Sequence, residues 1–520
     1  MQRPQGGPRD LTPPKLLKAL PANMTRNFKA KEIELEFDEF FKLSNQYQEI
    51  TLSPATEKAP EYKIRGQKLV IEFKDTLQKN TTYVLNFGKA IQDVNESNVV
   101  KNFTYVFSTG NHIDSLSISG TVTNSQTQEK EKDITVMLIP VAKDSVIFGK
   151  KKPSIFTTTD SSGNFSLNNL REDTYNIYAL KEASPNKIFD NDLELIAFLK
   201  NPIKVTKDTS NVNLVLFQQS PEKFRFIERR FDNDGKIMLY FNKPLVNPSV
   251  KIVSPPALND QKIVDINTTR DSALVFMRTM DFDSVKIAVF ENNKPLDTVT
   301  LRKSRKESFQ KGVTLKYNIT ADGKLKPGTN LRFMPSIYTE NVNPTLITLK
   351  EDSAMVTNFT VSKDTSNVRD FTLKYRWKQN AKYELTFNEG AITDIFGNKN
   401  KKQGKQFTID KPENYGVLTL KVKVPEAGKN YVVQIFRDEK SVLRSDVITK
   451  NSSIVYGNYP TAKYRIKVIY DTNKNGKWDS GSVKQKLQPE HIWISDKEIT
   501  LRPNWEAEES VDIPKEPATP

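Results

Sequence analysis

The sequence has 520 residues, a net charge of +15 and no cysteine, which excludes disulfides, thiolate catalysis and cysteine-bound zinc. Its length is too great for one core and implies about three to five domains. Hydrophobic residues make up 37%, enough for several small cores, while Gly and Pro interrupt the chain too often for sustained helices.

Residues 1–14 have no periodicity and are dense in Pro and Gly, as in an extended tether. The first unit, 15–112, opens on Glu32-Ile-Glu-Leu-Glu-Phe37, whose strict alternation predicts a half-buried strand. Runs at Glu49–Pro54, Leu69–Phe73, Thr82–Phe87 and Phe103–Phe107 follow, separated by turn residues such as Arg65-Gly66 and Lys79-Asn80. Several strands in about 100 residues with this punctuation predict an immunoglobulin-type sandwich. The second unit, 113–219, carries strands at Leu116–Val122, Ile134–Ile139 and Tyr175–Lys181, with Asp160 to Asn164 expected as a hairpin turn. The third, 220–306, opens with a strand at Lys236–Phe241 and is expected to be a further Ig-like sandwich.

The fourth unit, 307–411, repeats the first. Asn380-Ala-Lys-Tyr383-Glu-Leu-Thr-Phe387 matches Asn80-Thr-Thr-Tyr83-Val-Leu-Asn-Phe87 at an offset of 300. Ala391-Ile392 and Asp394 then answer Ala90-Ile91 and Asp93 after a slip of one residue. The fifth unit, 412–512, repeats the second, and 513–520 form a frayed tail.

Near the end of the fifth unit, a strand at Tyr464–Tyr470 runs into Asp471, Asn473, Asn475 and Asp479, with Gly476 between them. Oxygen side chains at alternate positions followed by a turning Gly form a pattern that wraps Ca²⁺. Lys477 could add only its backbone carbonyl. Position twelve is Ser482, so the bidentate carboxylate would have to come from Glu490. The alternative is an Asn/Gly/Asp turn whose side chains bond their own backbone. Glu182, Ser184, Asn186 and Asp190 repeat the layout in the second unit, but Pro185, Lys187 and the lack of glycine suit metal poorly. In both units a Tyr stands seven residues before the first oxygen side chain, and an aromatic, Phe189 or Trp478, precedes the last.

These residues resemble known families. The Lys31–Asp38 strand, Asn80-Thr-Thr-Tyr83, Asn86–Asp93 and Phe107-Ser-Thr-Gly110 resemble the bacterial Ig-like domain first described in S-layer proteins. The second and fifth units are similar to carboxypeptidase-regulatory or Cna-B sandwiches. The order of units, with Asp471 to Gly481 and Arg502-Pro-Asn-Trp505-Glu-Ala-Glu-Glu509 at its end, resembles Ig-like-domain lipoproteins of Bacteroidota. The implied fold class is all-β, with tandem sandwiches in an elongated array. The resemblance also places Gln5–Pro14 just after a lipidated cysteine; none is present, and Met1 stands in front, which implies that a signal peptide and the acylated cysteine have been removed. It implies an outer-membrane, lipid-anchored protein at the cell surface.

The basic residues are scattered, with short runs only at Lys150–Lys152 and Lys399–Lys405, so a solvated basic surface is expected and no nucleic-acid partner. No nucleophile elbow, zinc motif or phosphate loop occurs, and no enzyme is expected. The expected function is a scaffold or accessory subunit of an outer-membrane complex, such as β-barrel assembly or transport machinery, with a β-barrel or other surface lipoproteins as partners. That expectation rests on resemblance. The alternative is an adhesin or glycan-binding surface lipoprotein, though Trp377, Trp478, Trp493 and Trp505 are expected mostly in cores. Apart from Ca²⁺, no cofactor is expected.

Overall fold

The computed structural model describes residues 10–142, 153–184, 186–303, 312–365, 367–437 and 442–517. Most of the tether (1–9), Lys150–Lys152, Pro185, Phe309 and the last three residues lie outside them. Strands dominate, as the spacing of apolar and turn residues predicts, and among the described residues no helix is long and apolar enough to cross a membrane.

In the first unit, strands Leu16–Leu20, Glu32–Phe37, Lys68–Glu72 and Glu61–Arg65 form one sheet. Thr51–Ser53, Thr82–Asn86 and Thr104–Ser108 form the facing sheet. The alternation in Glu32–Phe37 has the predicted effect: Ile33, Leu35 and Phe37 are fully buried while the intervening glutamates face outward. The fourth unit repeats this plan, with Leu315–Tyr317, Leu331–Pro335, Phe371–Lys374 and Thr360–Lys363 opposite a sheet that carries Lys382–Phe387 and Gln403–Ile409. The duplication reaches individual bonds. Tyr83 stacks on Phe107 and Tyr383 on Phe407, both at 5.3 Å between ring centroids. The Tyr83 hydroxyl accepts the Gln78 N–H at 2.8 Å, and Tyr383 accepts the Lys378 N–H at 2.7 Å.

The second and fifth units share a different plan. Leu116–Asn124 runs parallel to Thr209–Gln218, and Tyr415–Lys423 runs parallel to Glu506–Asp512. Asp173–Lys181 and Ala462–Asp471 occupy equivalent inner positions, and each donates a tyrosine O–H to a carbonyl four residues upstream (Tyr175 to Arg171, Tyr464 to Pro460). Asp160 does form a turn, accepting the Ser162 and Asn164 N–H groups. It does not close a hairpin ladder, however, because Ile155–Thr158 and Asn164–Leu170 stand at opposite ends of the sheet path. The third unit is a sandwich of four and three strands around Ile237, Val275, Val285 and Ile287.

Successive units are pinned to one another. Lys187 of the second pairs with Glu49 of the first at 3.0 Å, both buried. Arg225 bonds Asp192 between the second and third. Arg369 bonds Asp265 at 2.7 Å between the third and fourth, and Asn458 donates to the Pro327 carbonyl at 2.6 Å between the fourth and fifth. The fifth unit also reaches back to the second, through Val483 and Trp478 packed on a cluster that includes Phe198 and Phe217.

Candidate functional site: the Asp471 loop and its docking face

Strand Ala462–Asp471 alternates so that Tyr464, Ile466, Val468 and Tyr470 enter the core of the fifth unit, which leaves its last residue, Asp471, at the edge of the sandwich. There the carboxylate, itself buried, turns the chain: Oδ1 accepts the Asn475 N–H at 3.0 Å and Oδ2 the Gly476 N–H at 2.9 Å. Gly476 has φ +76°, a left-handed conformation that favours glycine. Asn473 and Asn475 each direct a side-chain N–H₂ at Asp479 Oδ2, at 2.7 and 2.5 Å. Lys477 donates its backbone N–H to Asn475 Oδ1, and its side chain faces solvent.

Glu490 closes the loop from below. Its two carboxylate oxygens accept the Thr472 and Asp479 N–H groups at 2.7 and 3.1 Å, and its carbonyl accepts the Trp478 indole N–H at 2.9 Å. Burial raises the Glu490 pKa above the usual carboxylate range, against the lowering effect of the two N–H donors. Glu194 is its counterpart in the second unit: it accepts the Asp190 and Asn191 N–H groups, and burial likewise raises its pKa.

The loop therefore brings Asn473, Asn475 and Asp479 to one point, while Asp471 and Glu490 hold backbone. Among the described residues no group of three or more His, Asp or Glu side chains gathers as a metal cage. To coordinate a cation, Asn473 and Asn475 must turn Oδ1 inward and give up the N–H groups those oxygens accept.

Beyond Asp479 the loop becomes a docking element, a role that its polar residues do not signal. The Trp478 side chain packs both against Val432, Ile469 and Ile492 of its own unit and against the Phe198–Phe217 cluster of the second. The Val483 N–H donates to Gln219 Oε1 at 2.9 Å, and the Gln488 amide donates to the Phe198 carbonyl at 2.7 Å. Gly481 lies so close that a Cβ there would meet the Phe217 ring at 2.7 Å. The equivalent loop of the second unit docks as well, since it is Lys187 that reaches Glu49. The aromatic before the last oxygen, Phe189 or Trp478, was the one clue: an apolar ring in a polar loop needs a surface to cover.

Of the tryptophans, Trp377 packs edge-on against Tyr383 and Phe407, whereas Trp505 is half-exposed under Arg502. His491 sits beside the Tyr470 ring, and burial lowers its pKa.

Residues 10–109 match the bacterial Ig-like domain family. Among curated proteins there is no match. Solved structures with similarity include the major pilin subunit BcpA of Bacillus cereus (9% identity, 76% of this chain, 99% of that chain, TM-score 0.14). The S-layer protein rSbsC(31-844) matches at 10% identity over 94% of this chain and 67% of its own, with TM-score 0.15. A Bacteroides ovatus protein, SGBP-B of a mixed-linkage glucan utilization locus, solved in complex with a mixed-linkage heptasaccharide, matches at 12% identity over 65% of this chain and 87% of its own, with TM-score 0.18. At such scores the whole arrays do not superpose.

Proposed function

We propose that the protein is a non-enzymatic scaffold on the outer surface of a bacterial outer membrane, an accessory subunit that holds a β-barrel or other surface lipoproteins in place. In this reading a lipid on a cysteine upstream of Gln5 anchors it, as the resemblance to Bacteroidota lipoproteins implies. The observation that supports it is the pinning between units. Buried or half-buried ion pairs at Lys187–Glu49 and Arg369–Asp265 hold neighbouring sandwiches in fixed register, where a chain of independent binding modules would use loose linkers. Fixed register is what a protein needs to present distant surfaces to one assembly.

The test is purification of the lipidated protein from native membranes in mild detergent, with cross-linking. Stoichiometric recovery with a β-barrel protein supports the proposal. A protein that leaves the membrane alone and runs as a monomer overturns it.

We also propose that Asp471, Asn473, Asn475, the Lys477 carbonyl, Asp479 and Glu490 take a structural Ca²⁺ once the two amides turn. The convergence of three of these side chains supports it.

A further inference from the structure

Between the first and second units lies a cleft of about 580 Å³, within the range of small-ligand sites. Its walls are fixed. The Asn86 amide donates to the Phe156 carbonyl, and Asn102 both donates to the Thr158 carbonyl and accepts the Thr158 N–H. Thr51 donates to the Ser154 carbonyl. These contacts occupy the outward backbone groups of strand Ile155–Thr158, an edge of its sheet. A peptide adding itself as an extra strand would need those same groups, so this edge is closed to it.

What the cleft offers instead is side chains. Strand Asn164–Leu170 buries Phe165 and Leu167 and turns Asn164, Ser166 and Asn168 outward, in one row along the wall. Thr82 and Thr104 line the facing wall. Amides and hydroxyls on short, stiff side chains lose little freedom on binding and can both donate and accept. Charge is sparse and mostly engaged: among the described residues lining the cleft there is no lysine, Arg171 is the one arginine, and of the three aspartates, Asp114, Asp160 and Asp173, Asp160 already accepts the Ser162 and Asn164 N–H groups. Arg171 itself stands 3.7 Å from Asp173. An anionic ligand would find no free cation here, whereas a neutral ligand dense in hydroxyl groups would find the row of amides and hydroxyls.

We propose that this cleft binds a neutral oligosaccharide, held by hydrogen bonds from Asn164, Ser166 and Asn168. The inference is independent of the scaffold role, since a subunit that fails to recover a membrane partner could still carry the site.

The experiment is affinity electrophoresis of the full chain through native gels that contain barley β-glucan, xyloglucan, galactomannan or glycogen, with alginate as the acidic control. Retardation in at least one neutral gel is expected. Asn168→Ala and Ser166→Ala, both at outward positions, should weaken it by about threefold to tenfold for each hydrogen bond lost. No retardation in any neutral gel overturns the proposal. So does retardation in alginate alone that salt abolishes, which would report only the net charge. Equal retardation of wild type and Asn168→Ala overturns it as well.

Discussion

Replacing Lys187 with Met tests the joint between the first two units most directly. The Lys187 Nζ lies 3.0 Å from Glu49 Oε2, with the two side chains 4% and 10% exposed. It also donates to the Gln48 carbonyl at 3.2 Å and lies over the Phe156 ring. At an effective dielectric of about 20, unit charges at this separation attract by about 5 kcal/mol, most of which only offsets their desolvation. Methionine fills the space but leaves Glu49 buried with one remaining donor, the Lys89 N–H at 3.2 Å. The expected loss is about 3–5 kcal/mol, whereas the double change Lys187→Met with Glu49→Gln should stay within about 1 kcal/mol of wild type. With a urea slope of about 2–3 kcal/mol/M, the single change lowers the midpoint of these units by about 1–2 M. None of the four tryptophans belongs to the first two units, and Trp478, docked on the second from the fifth, would mix loss of that docking with unfolding at this joint. Hydrogen exchange in peptides that cover Thr82–Asn86 and Ile155–Thr158, followed through urea, does report on it. If the single change costs no more than the double one, the argument that Glu49 depends on Lys187 for its charge is refuted.

Gly481→Ala should drive the fifth unit off the second, because its Cβ would sit 2.5 Å from the Leu487 carbonyl oxygen as well as against Phe217. A carbodiimide cross-link between Lys484 and Glu222, 3.4 Å apart in the docked arrangement, should then disappear. Tyr83→Phe and Tyr383→Phe each leave a backbone N–H without its acceptor and should cost about 1–3 kcal/mol apiece, read as faster exchange at Gln78 and Lys378. Glu194 binds its proton more tightly in the folded state than in the unfolded one. The stability it contributes is therefore present at acid pH and falls as pH rises from the unfolded value through the folded one. The gap between wild type and Glu194→Gln, followed by melting from pH 4 to 7 (about one unit per step), should shift with that sign; a flat difference contradicts it. Added Ca²⁺ should raise the melting temperature of the whole protein, and Asp471→Ala with Asp479→Ala should abolish the rise. No shift in either protein leaves the loop as an Asn/Gly turn.

The all-β class was legible because strand burial has a period of two, and Glu32–Phe37 carries that period without a break. The duplication was legible because its core tyrosines recur with their partners: Tyr83 with Phe107, and Tyr383 with Phe407. The Asp471 turn was legible as well, since Asx side chains bond backbone only a few residues away. What sequence could not reveal were contacts between units. Lys187 and Glu49 are separated by 138 positions, and each alone reads as an ordinary surface charge. The alternation of Asn164, Ser166 and Asn168 with Phe165 and Leu167 marks only the wet side of a strand; that side lines a cleft only because the first unit stands opposite.

The return of the fifth unit to the second has a mechanical consequence. The covalent path from the second unit to the fifth runs through the third and fourth, but Trp478, Val483 and Phe217 offer a shorter route. Tension applied between an anchored front end and cargo held at the tail would cross this bridge first. The two middle sandwiches would stay slack until it parted, as a reserve of length.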